Sequence, residues 1–434
     1  MRDKTQKISM YLWWMSLLLL VFCGGRILYY LIAYGDVYPH WDEWKFVPVK
    51  GSILKHLFAY NNENLQFFTN LQYLLVEKLH LSFKSNVFIS YGIYLLLVTG
   101  WYCFLRQYVY PTQRWLLMLC FLPLFADYML DNLFWPILSQ TWWYFFFMLM
   151  AVYFGFNETQ NLSFRLKSAV MILCSVLAMN ISFVIMFSGC YLLKNIYQAK
   201  QKKERKTEVL FATVWLECLA VILFLFCVEM RNSNPITIDW WAVFSFSFYY
   251  QFFYLLTAPL SGFFIQPEDH LAAIIIGLLL LGWCLFLFWR QYKITDRQGL
   301  LSVAIILGGG IAAIALFRGE SVYEITDSTG RYLPYVLFLI PVVFVLGSYG
   351  QSRVLQTVNY GIIGVILVFT VWGQFNQERC RITVNRIVVG KSCIENYYKL
   401  SKRPRDYFCH NKFEKNISPY LEHFEKVFLH KNSE

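Results

Sequence analysis

The chain has 434 residues, of which 58% are hydrophobic, 20% aromatic and only 15% charged. Soluble globular proteins carry about 45–50% apolar and about 25% charged residues, so this composition excludes a soluble domain and a disordered chain. Long continuous apolar runs exclude an outer-membrane barrel, and basic loops held on one membrane face explain the net charge of +11 better than nucleic-acid binding does.

A membrane span needs about 20 apolar residues. Nine runs qualify: 11–33, 86–105, 115–135, 137–156, 209–229, 270–290, 300–317, 333–350 and 355–374. No removable leader pattern opens the chain, so the first run is expected to stay as a span. Two further stretches are awkward. Residues 168–193 are too long for one span and basic at both ends, which predicts a tight pair of short helices turning at Asn180-Ile181-Ser182. Residues 239–265, with Pro259 and Gly262, predict a hairpin dipping in from the opposite face.

Orientation follows from Lys and Arg. With the N-terminus inside, the short inner loops hold seventeen basic residues and the short outer loops eight, so a cytoplasmic N-terminus is expected. Nine crossings then place residues 375–434 outside. The expected organisation is a transmembrane unit over 1–374, with a long first outer loop at 34–85, and a small periplasmic tail over 375–434.

Eight of the eleven cysteines lie in apolar runs, as small buried hydrophobes do. Cys380, Cys393 and Cys409 fall in the tail. If the tail faces an oxidising compartment, a Cys393–Cys409 bridge would close a short loop.

The first outer loop carries His40-Trp41-Asp42-Glu43-Trp44, then apolar residues at helical spacing from Ile53 to Leu81, which predict helices lying along the membrane surface. The acidic pair between two tryptophans fits a solvated loop start with Trp at the interface. It also fits a carboxylate beside a membrane-level cavity acting as general base, with Trp41 and Trp44 as a sugar platform or low-dielectric wall. Asp127 and Asp131 lie one turn apart near the outer end of the third run, followed by Asn132, Trp135 and Gln140. Carboxylates at membrane depth mark either a functional site or a pair bonded to neighbouring helices. Arg26 and Glu217, each inside a run, could satisfy one another. Arg318 and Arg331 bracket a late outer loop, where they suit lipid headgroups or the phosphate of a lipid-linked substrate. There is no Gly-rich loop leading to Lys-Ser/Thr, no Cys/His metal spacing and no His-Glu-x-x-His pattern.

These features resemble the GT-C class of integral membrane glycosyltransferases, and more narrowly the bacterial O-antigen glucosyltransferase-like proteins. Asn61-Asn62-Glu63-Asn64-Leu65-Gln66-Phe67-Phe68 is similar to their His-Asn-Glu-His-Arg-like stretch, without its histidines and arginine. Asp131-Asn132-Leu133-Phe134-Trp135, running on to Gln140, is similar to their Glu-Asn-Leu-Trp-Gly-Phe-Gln stretch. Ser328-Thr329-Gly330-Arg331-Tyr332 looks like their Ser-Arg-Tyr signature.

The resemblance implies an all-α, polytopic GT-C-like bundle of about 9–11 transmembrane helices in a bacterial inner membrane. It implies transfer of a sugar, a hexose such as glucose, from a polyprenyl-phosphate donor to a lipid-linked glycan acceptor such as O-antigen. Asp42 or Glu43 would be the base. Glu63, Asp127, Asp131, Gln140, Arg318, Arg331, Tyr332, Trp41 and Trp44 would contact substrate. No cofactor or nucleic acid is implied, although paired carboxylates such as Asp42 with Asp131 would suit a hard divalent cation. Rival readings are a glycan polymerase or ligase, a transporter without covalent chemistry, and a catalytically inert relative.

Overall fold

The computed structural model describes residues 2–35, 38–39, 43, 52–61, 64–156, 162–178, 190, 240–257, 270–291, 297–317, 322–348, 352–375, 377–400, 421 and 424–425. Among them the helices are α1 (Arg2–Tyr34), α2 (Ile53–Leu57), α3 (Phe67–Lys78), α4 (Lys84–Leu105), α5 (Arg114–Leu119), α6 (Leu130–Phe134) and α7 (Ser139–Gly155). There follow α8 (Leu162–Ala178), α9 (Phe246–Thr257), α10 (His270–Gln291), α11 (Gln298–Phe317), α12 (Val322–Ser348), α13 (Arg353–Phe375) and α14 (Gln377–Lys399). One small hairpin pairs Tyr60–Asn61 with Asn64–Leu65.

Five stretches of the described residues are long and apolar enough to cross a bilayer: Gln6–Tyr34, Lys84–Tyr108, Pro136–Gly155, Ile274–Gln291 and Gln298–Leu316. They coincide with five of the nine apolar runs. Runs 333–350 and 355–374 form α12 and α13, and run 209–229 lies outside the described residues. Trp14, Leu18 and Phe22 on α1, and Leu271, Leu279 and Trp289 on α10, are more than half exposed. Apolar surface on that scale has to be covered, and lipid is the cover that an all-α membrane protein has.

Inside the bundle, polar side chains tie helices where their backbones come close. Asn359 on α13 accepts from the Trp283 indole of α10 at 3.1 Å and donates to the Phe344 carbonyl of α12 at 3.1 Å. Its amide lies where a Cβ would stand on Gly347, so a side chain there would evict it.

The third run is not the continuous span that its apolar content predicts. α5 ends at Leu119; short 3-10 turns follow at Leu122–Phe125 and Asp127–Met129, then the single-turn helix α6, then another 3-10 turn at Pro136–Leu138. Pro123 and Pro136 each lack the N–H that a continuous helix needs, and Ala126 between the turns is extended. The break is tolerated because side chains satisfy the backbone it frees: the Tyr94 hydroxyl of α4 donates to the Leu124 carbonyl.

Of residues 168–193, the part 168–178 belongs to α8, a longer helix than the short limb expected there. α8 has 17 residues, roughly 25 Å at 1.5 Å per residue, which is too long for one limb of a shallow pair. It runs back along α7, with the Ser168 hydroxyl donating to the Ala151 carbonyl at 2.9 Å. It packs against α3 and the strand Asn64–Leu65, so it reaches the end of the bundle where the first loop sits. The turn at Asn180–Ser182 lies outside the described residues, as do Pro259 and Gly262 of the second expected hairpin, whose Phe246–Thr257 part forms α9 among α10, α11 and α12.

A second, smaller aromatic core joins the first loop to the tail. Tyr38, Tyr73, Phe83, Ile137 and Leu138 bury themselves with Ile394, Tyr397, Leu421 and Phe424. Tyr38 meets Tyr398 at 6.3 Å and Phe424 at 5.8 Å between ring centroids. The tail therefore docks on the first loop. Cys393, on α14 beside this core, is disulfide-bonded, and Cys409 lies outside the described residues.

Candidate functional site

The end of the bundle that carries the first loop is organised by one carboxylate. Glu43 is fully buried. Its Oε1 accepts from the Tyr73 hydroxyl of α3 at 2.6 Å and from the Ile137 backbone N–H at 2.9 Å. Ile137 stands in the turn Pro136–Leu138 that leads into α7, where unsatisfied N–H groups and the helix dipole favour an anion. Glu43 thus caps the start of a span from 94 residues away in sequence. Burial first, then the neighbouring Glu43 charge and hydrogen bond, push the Tyr73 hydroxyl well above its ordinary pKa, so Tyr73 remains a donor. Of the two expected bases, Glu43 is held as a clamp between the first loop, α3 and α7. Asp42, with Trp41, Trp44, Glu63 and Arg318, lies outside the described residues.

The same loop has its own local logic. Ser52 caps α2 by accepting from the Lys55 N–H at 3.1 Å. α3 stops because His80 takes a left-handed conformation (φ 56°), and the N–H groups of His80 and Leu81 then close on the carbonyls of Glu77 and Val76. Between the two helices His56 is buried, its Nε2 donating to the Asn70 carbonyl at 3.2 Å. Burial lowers its pKa from 6.5, and the bond to Asn70 opposes that in part. The unfolded chain therefore takes up a proton near pH 6.5 that the folded loop refuses, so stability is lost as pH falls below that value. We predict a lower thermal unfolding temperature in detergent at pH 5.5 than at pH 7.5 (about one unit either side of the free imidazole pKa), with a smaller difference in His56→Gln. An equal difference in the variant would count against His56 as its source.

Asp127 sits in the broken segment and is 4% exposed. It pairs with Arg26 of α1. Arg26 is eight residues from the end of α1 at Tyr34, about 12 Å along the axis. Arg26 thus has an acid partner in Asp127, and Glu217, the partner the sequence suggests, lies outside the described residues. Asp127 and Asp131 do not share a continuous helical face either, because the 3-10 turn of the first gives way to α6 before the second. For Asp131 on α6 and Arg331 on α12 only the backbone is described; their elements pack together. Tyr332, one residue on, is half-buried against the main core.

Gln140 is buried near the start of α7, beside Ser139, whose hydroxyl is 2.9 Å from that of Thr69 on α3. Phe68 lies against Trp143 and Phe147 at centroid distances of 5.4 and 4.8 Å. Gln66, just before α3, is fully buried. Reasoning from the sequence missed Gln66 and Trp143 as well as the Arg26–Asp127 pair. A lone in-span arginine, which needs an acid, and Pro123 within the third run with Pro136 just after it are the available signals for that pair.

Compared with known proteins, the chain matches no family model, no curated protein sequence and no solved structure.

Proposed function

We propose that the chain is a GT-C-type membrane glycosyltransferase of about 9–11 transmembrane helices, with a cytoplasmic N-terminus and a periplasmic tail in a bacterial inner membrane. It transfers a hexose such as glucose from polyprenyl phosphate to a lipid-linked or surface glycan such as O-antigen. One observation carries this reading. The bond from Glu43 to Ile137 ties the residue next to Asp42 onto the broken segment, and that segment packs against α12, which bears Arg331. Glu43 of the first loop and the helix that carries Arg331 thus pack against the same broken segment, which supports an acid and a guanidinium acting together.

In this reading Asp42 takes the proton of an acceptor hydroxyl, whose oxygen bonds to the anomeric carbon with inversion. The bond from that carbon to the carrier phosphate breaks, and the phosphate leaves with the electron pair. Arg318 and Arg331 hold the phosphate through paired N–H donors. Trp41 and Trp44 face the sugar, and Asp131 and Tyr332 lie on the elements that close around it. Glu63 contacts substrate in this reading, and Asp127 is paired with Arg26. A disulfide at Cys393 supports an oxidising compartment for the tail and for the first loop it docks on.

The broken segment favours a second reading, a transporter, because transporters place discontinuous helices at their binding sites. Arg331→Lys separates the two. A lysine keeps the charge but loses the fork, so transfer of labelled sugar to cell-surface glycan should fall at least about tenfold at equal expression. Labelled glycan made at the full rate by Arg331→Lys would remove the phosphate clamp, and donor translocation without glycosidic product would favour the transporter.

A further inference from the structure

We infer that the junction where α3 and α7 begin is a sugar subsite, in which Gln66, Gln140 and Trp143 read hydroxyl groups. This deepens the transferase reading and rests on it. Gln66 is fully buried, and among the described residues neither its Oε1 nor its Nε2 has a hydrogen-bond partner. Gln140 is 7% exposed, and its Oε1 has none. The indole Nε1 of Trp143 is buried and likewise unpartnered. Buried polar groups are ordinarily paired, so unsatisfied ones gathered at one place call for an explanation.

They are gathered by geometry. Thr69 and Ser139 touch at 2.9 Å. Gln66 is the residue before α3, three ahead of Thr69, and Trp143 follows Ser139 by four, the spacing that puts two side chains on one face of α7. Gln140 is the direct neighbour of Ser139, and the Phe68 ring rests on Trp143 at 5.4 Å. The junction therefore offers amide donors, amide acceptors, an indole donor and aromatic rings. A neutral polyhydroxylated ring suits a junction of uncharged donors and acceptors, because it both accepts and donates and lays its C–H face on an aromatic. A hexose has that chemistry.

The test is saturation-transfer NMR on the full chain in detergent with glucose, galactose, mannose and rhamnose as probes, alongside thermal unfolding. At least one sugar is expected to bind the unaltered chain, and Gln66→Leu and Gln140→Leu should each weaken it at least about tenfold. The unfolding temperature should hold or rise, because an apolar group replaces an unpaired amide. A structural role predicts the reverse, a lower unfolding temperature with binding unchanged, and that result overturns the subsite. Should Gln66→Leu fail to fold, Gln66→Met asks the same question with a flexible side chain of similar length. No binding by any of the four sugars also overturns the subsite. Binding lost in Gln66→Leu without any transfer reaction in the unaltered chain would sink the transferase reading and leave the subsite standing. Transfer with unchanged kcat and KM in Gln66→Leu would do the opposite.

Discussion

Replacing Arg26 by Met while Asp127 stays should cost about 3–5 kcal/mol of stability, because it strands a carboxylate inside the bundle. Asp127→Leu alone should also destabilise, because it removes the acid that faces the guanidinium. The double variant should recover most of the loss, since two apolar side chains in place of a buried pair are often neutral. The pair pins α1 to the broken segment at the point where that segment has least helical support: Asp127 opens a three-residue 3-10 turn preceded by extended backbone. The Asp127 side chain is 5% exposed and that of Arg26 25%, so the acid is the more enclosed of the two. Thermal unfolding of the four proteins in detergent closes the cycle. Single variants as stable as the parent, or a double variant whose loss is the sum of the two, would show that the two charges do not depend on each other.

The adjacent acids of the first loop should separate into two roles. Asp42→Asn is expected to lower transfer about 10²–10⁴-fold, the usual contribution of a positioned base, with no change in unfolding temperature. Glu43→Leu should act on stability, because it leaves the Tyr73 hydroxyl and the Ile137 N–H buried without their acceptor, at about 1–3 kcal/mol for each. Glu43→Gln keeps an acceptor oxygen of the same reach and should fall between Leu and the parent. The measurements are initial transfer rate and unfolding temperature on the same preparations. An Asp42→Asn protein with full activity, or a Glu43→Leu protein as stable as the parent, would reverse these roles.

How much of this was legible in the sequence depends on the kind of signal. Continuous apolar runs such as 86–105 and 300–317 announce their helices, because hydrophobicity alone requires them. Run 115–135 is as apolar, yet it breaks, since composition weighs side chains while the break follows from backbone donors missing at Pro123 and Pro136 and from the Arg26–Asp127 pair that holds the segment. The docked tail was invisible for another reason. Tyr38 and Phe83 meet Phe424 across more than 300 residues, and isolated aromatics in polar surroundings have no periodicity to read. Charge and flanking tryptophans single out Glu43 in the sequence, but those features do not distinguish a base from a buried cap. Gln66 sits inside a motif read for Glu63, and only the meeting of α3 with α7 gives it meaning.

Cryo-EM of the full chain in lipid nanodiscs with polyprenyl-phosphate-linked glucose tests the shared site most directly. We predict the phosphate against Arg331 and the sugar between Asp42 and the start of α7, at the end of the bundle where the tail docks. A carrier bound at the other end, or Asp42 and Arg331 touching no common molecule, would contradict it.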